Sequence, residues 1–499
     1  MNSIILDVRD PQYYDDAVVL VRSFFPRTEV TNEEKMSGPE AERRLSSGIS
    51  GPVSAAAGDS GPVIRKLSDA DVLFVRPEIP DARGENGTLK LKKDRHEEFK
   101  KALYLELSSF TGKTLPWGYL TGVRPSKIAF AMLEEGAGDG EILREFEQKH
   151  LTRPDKAKLA LTVAKREREI IGMRPFSDGY SLYIGIPFCP TTCLYCSFPS
   201  YSIEGRQNQV EPYIDALIHE MRESARIMAG KRLDTIYFGG GTPTALSASQ
   251  LDRLLSALCE IFPVDGAMEL TVEAGRPDSV TPEKMETLKR HGVTRVSVNP
   301  QTMNDKTLEI IGRRHSAAQV REAFAMARAA GFDNINMDMI LGLPGEEEPE
   351  VAKTLEEIEA LGPESLTVHS LAIKRAAALN VKRILYRDLS LVNSDALVGM
   401  THEAAARLGL SPYYMYRQKN MAGNFENVGF AKVGKECLYN ILIMEEVQTI
   451  VACGAGAATK RVFGNGRIER AMNVKDITSY IERTDEMIER KQKLFSLSV

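Results

Sequence analysis

Three of the six cysteines fall within eight positions, Cys189, Cys193 and Cys196, in the spacing CxxxCxxC. They follow an apolar run, Tyr183-Ile184-Gly185-Ile186, that reads as a buried strand. This spacing marks a metal loop, because a turn can bring three sulfurs inward where a helix or strand would spread them by its own period. A zinc site wants a fourth Cys, His or Asp close by, and Ser197 and Phe198 follow instead. An iron-sulfur cube held by three thiolates keeps one iron free for a small molecule. A zinc site and redox-inert cysteines stay open as alternatives at this level.

The elements around this loop must hold it at the mouth of a site. From residue 181 onward short apolar runs alternate with amphipathic ones. Strands are expected at 182–186, 235–238, 268–273, 295–298, 335–340 and 366–370, and helices at 210–228, 249–262, 282–291, 317–330 and 349–361. Such alternation argues for parallel strands with helical crossovers, whose active sites lie at the carboxyl ends of the strands. Each strand end here carries a polar or glycine-rich mark: the cysteine loop, then Gly239-Gly240-Gly241-Thr242, Glu273, Asn299-Pro300-Gln301, Asp338 and His369. A glycine triplet lets a ligand approach the backbone, and its amides with the Thr242 hydroxyl suit a carboxylate. Glu273 and Asp338 suit an ammonium or ribose hydroxyls, and Arg313 a carboxylate. His369 reads as a core histidine, and Arg313-Arg314-His315 as an anion site or a solvated basic turn.

Length suggests two or three domains. Hydrophobic residues at 43%, charged residues at 27% and a net charge of -5 describe a globular protein with no call for nucleic acid or an anionic membrane. No 18-residue apolar run or leader-like amino terminus is present, so the expected compartment is the cytoplasm. Residues 1–175 are expected to form an amino-terminal α/β accessory domain with a flexible insert near 29–60, residues 176–379 the core, and 380–499 a carboxyl-terminal region covering the substrate. The stretch 115–125, with the single tryptophan Trp117, reads as a packed loop. Residues 420–440 read as a loop broken by Gly and Asn, and 474–494 as a charged helix with a solvated face.

The ordered set YIGIPFCPTTCLYCSF, FGGGTPT, TVEA, NPQT, an Arg twelve positions beyond that Gln, and NMDMILGLPGE resembles the radical S-adenosylmethionine (SAM) superfamily. Within it the set looks like the oxygen-independent coproporphyrinogen III oxidase (HemN-like) family, nearest its HemZ branch, over roughly residues 180 to 460. The resemblance implies an α/β fold: a partial (β/α)6 radical SAM barrel with an amino-terminal α/β domain and a carboxyl-terminal α+β extension. It implies Cys189, Cys193 and Cys196 as ligands of a 4Fe-4S cluster whose fourth iron binds SAM. It also implies Tyr183, Tyr195, Gly240, Gly241, Thr242, Glu273, Gln301, Arg313, Asp338 and Ala372 around one or two SAM molecules. The activity implied is oxidative decarboxylation of coproporphyrinogen III to protoporphyrinogen IX in haem biosynthesis, with a reduced flavodoxin- or ferredoxin-type electron donor. No catalytic residue is assigned, and Arg276, Arg313 and Arg314 are candidate anchors for the substrate's propionates.

Two departures stand out. HemN enzymes carry a fourth Cys where Phe198 stands and a His where Gly185 stands. A Phe at the first position also occurs in the haem-chaperone (HemW-like) branch, so haem carriage, and radical alkylation or opening of haem, are the rival readings.

Overall fold

The computed structural model describes residues 3–8, 10–25, 29–32, 63–66, 72–81, 91–122, 124–196, 198–371, 393–417, 425–464 and 466–498. They fall into two compact units, Met1–Leu161 with Arg417–Glu426, and Thr162–Tyr416 with Asn427–Val499. The division lies inside the helix Pro154–Ile171, and not at 175/176. Residues 427–499 cluster with 162–416 in the second unit.

In the first unit, strands β1 (Ser3–Leu6), β2 (Glu29–Asn32), β3 (Val63–Lys66) and β4 (Val72–Arg76) form a sheet in the order β2-β1-β4-β3. β1 runs parallel to both neighbours and β3 antiparallel to β4. The helices Tyr14–Phe24 and Lys92–Thr111 bury Leu20, Phe24, Phe99 and Leu103 in one core with Ile4, Leu6, Leu73 and Val75. The segment expected to open a flexible insert therefore begins with a strand, β2; residues 33–60 lie outside the described residues. Trp117 is wholly buried, its Nε1 donating to Glu426 Oε2 at 2.7 Å while Lys156 Nζ donates to Glu426 Oε1 at 2.6 Å. The tryptophan stretch is thus a packed loop.

The second unit carries β5 (Gly179–Ile186), β6 (Phe188–Cys189), β7 (Tyr201–Ser202), β8 (Arg232–Gly240), β9 (Glu269–Glu273), β10 (Arg295–Ser297), β11 (Ile335–Leu341) and β12 (Ser365–Ser370). It continues with β13 (Ser411–Tyr416), β14 (Asn427–Ala431), β15 (Thr449–Cys453), β16 (Ala458–Val462) and β17 (Ile468–Met472). The large sheet runs β13-β14-β12-β11-β10-β9-β8-β5-β15-β16-β17. From β12 to β15 every neighbour is parallel, so a seventh parallel strand, β15, is added to the six expected, on the free side of β5. Parallel strands are covered on both faces, which is why they read as near-continuous apolar runs. The crossover helices start at local signals: Ser247 and Ser316 each form a capping box with Gln250 and Gln319.

Pairing puts Ile186 beside Gly240, Ser297 beside Glu273 and Ile340 beside His369, so the polar strand ends share one rim. The region expected as a broken loop at 420–440 contains β14 and the start of the helix Leu438–Glu445. Glu269, at the opposite end of β9, accepts from the amides of Leu438 and Tyr439 at that helix's first turn. The expected solvated helix at 474–494 is two helices, Ile477–Glu482 and Thr484–Ser496. Their Met487 and Lys491 are buried, and Lys491 pairs with buried Glu220 at 2.7 Å, so this face packs where solvent was expected.

Candidate functional site

The cysteine loop is held at both shoulders. β6 pairs with β7 across its base, and the Tyr201 and Ile203 amides donate to Pro187 O and Cys189 O at 2.8 Å each. On the far side the Leu194 amide donates to Ile311 O at 3.0 Å, and Thr191 Oγ1 to Gly312 O at 3.2 Å. The end of β8 supplies a third restraint, with the Gly241 amide on Ile186 O and the Thr242 amide on Phe188 O, both 2.7 Å. A Cβ at Gly241 would sit 2.6 Å from Phe188 O, so only glycine permits that approach. The amides of Gly241 and Thr242 therefore secure the loop and are not the open carboxylate cradle expected from sequence.

Each thiol meets a polar neighbour. Thr242 Oγ1 donates to Cys189 Sγ at 3.4 Å, Arg276 Nη1 reaches Cys193 Sγ at 3.7 Å, and Ser200 Oγ lies 3.8 Å from Cys196 Sγ. Tyr195 packs against the buried cluster of Leu308, Ile311 and Ile340, with the Arg313 charge and the Cys193 thiol close by. Burial above all pushes the Cys189 thiol up to about 11, and the neighbouring Cys193 and Cys196 add to the rise. Among the described residues no three Cys, His, Asp or Glu side chains gather tightly enough for a single metal ion. Thiols ringed by N–H and O–H donors fit an iron-sulfur cube, in which each sulfur serves a different iron and the cluster's negative charge accepts hydrogen bonds.

Arg276 is almost wholly buried. Its Nε and Nη2 fork onto Asp278 at 2.9 and 2.8 Å, and Nη1 donates to Thr191 O at 3.1 Å and Thr191 Oγ1 at 2.9 Å. Arg313 is buried as well and donates to the carbonyls of Asn299 and, at 3.2 Å, Gly275. The Arg276 guanidinium is engaged at all three nitrogens, Arg313 keeps only its buried Nε without a partner among the described residues, and Arg314, the exposed one, faces Glu204 at 3.4 Å. His315 is buried and its pKa falls to about 3, through burial and then the Arg313 charge, so it brings no positive charge to an anion site. A cleft of about 640 Å³ borders the loop here, lined by Thr191, Thr192, Arg313 and His315 among others.

Along the rim, Tyr237 Oη donates to Glu273 Oε1 at 2.5 Å. Tyr237 stacks on Tyr439 at 4.7 Å and on Tyr183 at 6.3 Å between ring centroids. Burial pushes the Glu273 carboxyl up to about 7; the Tyr237 and Gly240 donors only partly oppose it, and the Asp338 charge adds to the rise. Asp338 moves the other way. Burial would raise it, but His369, Asn336 and Thr367 together hold it below the usual carboxylate value. Asn336 Nδ2 donates to Asp338 Oδ1 at 2.6 Å, and His369 Nε2 lies 3.8 Å from Asp338 Oδ2. His369 is only partly buried, with Nδ1 3.4 Å from Tyr416 Oη, so it belongs to the rim and not to the core.

Gln301 has a left-handed backbone, φ 65°, costly for a residue with a Cβ. Its amide donates to Asp338 O and its carbonyl accepts from Ile340, which stitches the end of β10 to β11. Its side-chain Oε1 is buried with no hydrogen-bond partner among the described residues. Such an orphaned acceptor at a strained position is what a ligand donor would satisfy. Gly240 has φ 105° and lies against the Tyr183 hydroxyl. Ala372 lies outside the described residues. Sequence reasoning missed Tyr237, Tyr439 and Asp278; Asp278, two residues after an Arg across a proline, was the one readable signal.

Seven parallel strands presenting a three-thiol loop and a carboxylate-lined rim define a SAM-dependent iron-sulfur fold, and residues 183–358 match the radical SAM superfamily. The chain belongs to the oxygen-independent coproporphyrinogen III oxidase-like family, the HemZ and HemN group, within that superfamily. It is 41% identical to the oxygen-independent coproporphyrinogen-III oxidase-like protein HemZ of Bacillus subtilis, over 79% of this chain and 80% of that protein. It is 33% identical to the heme chaperone HemW of the same organism, over 60% of this chain and 75% of the relative. Among solved structures, the coproporphyrinogen III oxidase HemN of Escherichia coli, a radical SAM enzyme, superposes with a TM-score of 0.51 at 22% identity, covering 64% of this chain and 72% of that one, a likeness of fold. No helix among the described residues is long and apolar enough to cross a membrane.

Proposed function

We propose that this protein is a radical SAM enzyme acting on a tetrapyrrole, and that it removes carbon dioxide oxidatively from propionate side chains of coproporphyrinogen III to leave vinyl groups. The observation that carries this reading is the loop of Cys189, Cys193 and Cys196, its thiols ringed by donors beside a rim that holds Glu273, Gln301 and Asp338. When bound, the cluster and SAM supply one-electron cleavage of SAM to methionine and a 5′-deoxyadenosyl radical able to take hydrogen from an unactivated carbon.

The chain's own residues position and exclude. Cys189, Cys193 and Cys196 would hold the cluster, with Thr242, Arg276 and Ser200 beside its sulfurs. Tyr183 and Gly240 shape the floor beside the loop, and Gly241 lets β8 approach it. Glu273 accepts from the ammonium or ribose of SAM, Asp338 from ribose hydroxyls, and Gln301 Oε1 takes a donor it otherwise lacks. A reduced flavodoxin- or ferredoxin-type protein is the electron source, an external electron acceptor takes the electron that the substrate radical gives up as carbon dioxide leaves, and a cytoplasmic location suits an oxygen-sensitive cluster.

A pH dependence follows from Glu273. With its carboxyl near 7 in the free protein, the ionised acceptor is fully present only above that pH. SAM affinity is expected to weaken below pH 7 by up to about tenfold per pH unit, the limit for one coupled proton, and Glu273→Gln to flatten the profile while lowering affinity overall. Isothermal titration of SAM across pH 5.5 to 8, roughly the range where a group of this pKa titrates, checks it. Folding linkage has the opposite sense: a carboxyl raised above its unfolded value favours the folded ligand-free protein at low pH, and that contribution is lost as pH rises from 4.5 to about 7.

Phe198 supports a second reading. It is 65% exposed beside the loop, where the oxidases have a further cysteine and the chaperone branch a phenylalanine, which favours haem carriage. Anaerobic incubation with SAM, a strong reductant and coproporphyrinogen III separates the two. Turnover predicts one 5′-deoxyadenosine per carbon dioxide and a divinyl product by mass; stoichiometric haem binding with the porphyrinogen untouched would replace the oxidase by the chaperone.

A further inference from the structure

We infer that the carboxyl-terminal helices are a positioning device for the cysteine loop, acting through a buried polar chain from Lys491 to Tyr213; the inference rests on the reading of that loop as a cluster site. Lys491, on the helix Thr484–Ser496, is buried against the helix Gln207–Ile227. Its Nζ meets Glu220 Oε1 at 2.7 Å and Ser224 Oγ at 3.0 Å, and lies 3.5 Å from Cys453 Sγ. Glu220, wholly buried, accepts from Tyr480 Oη at 2.5 Å and from the Gly454 amide and Asn473 Nδ2 at 2.7 Å each. One carboxylate thus ties together four separate stretches that follow the barrel.

The chain continues to the loop. Gly454, just past β15, has φ 107°, and a Cβ there would lie 2.4 Å from Gly185 O, so the turn is pressed onto the end of β5. Tyr213 bridges them: its hydroxyl donates to Gly185 O at 2.7 Å and accepts from the Ala455 amide at 2.9 Å. The Tyr213 ring meets Phe188 edge-on at 5.4 Å and Tyr480 at 5.1 Å. Phe188 is the residue before Cys189. Lys491 and Glu220 are satisfied by protein partners, and a hydrophobic pair would fill the same volume at no loss of stability. What the polar version adds is fixed geometry: it sets the 453–456 turn, and through Tyr213 the end of β5 and the first ligand of the loop. Lys491, Glu220 and Tyr213 are positioning residues in this account.

The full chain, reconstituted anaerobically, gives the test. Tyr213→Phe removes only the bridging hydroxyl and Lys491→Met only the ammonium; each is expected to speed iron release to bathophenanthroline disulfonate about tenfold, the usual scale for partners behind a metal ligand. Amide exchange at 186–196 in the iron-free protein is expected to quicken in both, and Lys491→Arg to restore slow release. Thr478→Ala, on the same helices but outside the chain, leaves both readouts unchanged. Wild-type rates of iron release and exchange in Tyr213→Phe and Lys491→Met would overturn the inference while leaving the cluster site intact. Failure of the unaltered protein to take up any iron would overturn the reading of the loop itself, and the inference with it.

Discussion

Cys193→Ala is expected to yield a folded, colourless protein that makes no 5′-deoxyadenosine. Cys193 is the thiol that the buried Arg276 guanidinium reaches, at 3.7 Å. Without it, two thiols remain to hold a four-iron cube that needs three. The loop's other restraints come from backbone groups, Leu194 on Ile311 and Tyr201 on Pro187, and do not use the sulfur. The iron-free variant should accordingly match the iron-free parent within about 1 kcal/mol, as for a partly exposed side chain outside the core. Iron analysis, visible absorption and chemical denaturation check all three parts. A Cys193→Ala protein that still assembles a cluster and cleaves SAM would mean that other ligands hold the metal.

Arg276→Met should produce the largest loss of folding stability of any single change near the site. The guanidinium is 2% exposed and holds five contacts at once, two on Asp278, two on Thr191 and one toward Cys193. Methionine preserves much of the volume and deletes every donor, which leaves the largely buried Asp278 carboxylate and the Thr191 carbonyl unpaired. Breaking one side of a buried pair costs about 3 to 5 kcal/mol. Denaturant unfolding of the iron-free protein measures it. If Arg276 were instead a propionate anchor, the variant would keep its stability and lose only substrate affinity, and that pattern would contradict the geometry described here.

The barrel was legible because parallel strands buried on both faces are short, continuous apolar runs; all six expected strands and five helices stand within a few residues of their predicted ends. What a linear pattern could not carry was partnership. β15 lies beside β5, and nothing local in its sequence says so. β14 was unreadable for a physical reason: Gly429 sits in its middle, and a Cβ there would lie 1.9 Å from the Tyr414 ring, so packing demands the residue that sequence rules treat as a breaker. Charge misled in the same way. Lys491 looks solvated in a run of Glu, Arg and Lys, and becomes buried only because Glu220 waits on another helix.

At the rim, residue types were informative and roles were less so. Spacing drew attention to the cysteines, Glu273, Gln301, Arg313 and Asp338: the cysteines lie on the loop, Glu273 ends β9, Asp338 stands within β11 and is bonded there by Gln301, and Arg313 follows the helix Asp305–Ile310. The Arg276 guanidinium and the amides of Gly241 and Thr242 turn inward to hold the loop, and Arg313 donates to the carbonyls of Asn299 and Gly275, where free ligand donors were expected. Local sequence shows a donor and not whether the fold has already occupied it.

The most direct measurement is electron-nuclear double resonance of the anaerobically reconstituted, dithionite-reduced protein with SAM labelled at its methionine nitrogen. The account predicts a reduced cluster signal whose shape changes on adding SAM, with the labelled amino nitrogen coupled to one iron. A protein that binds no iron, or a cluster whose spectrum is the same with and without SAM, would contradict it.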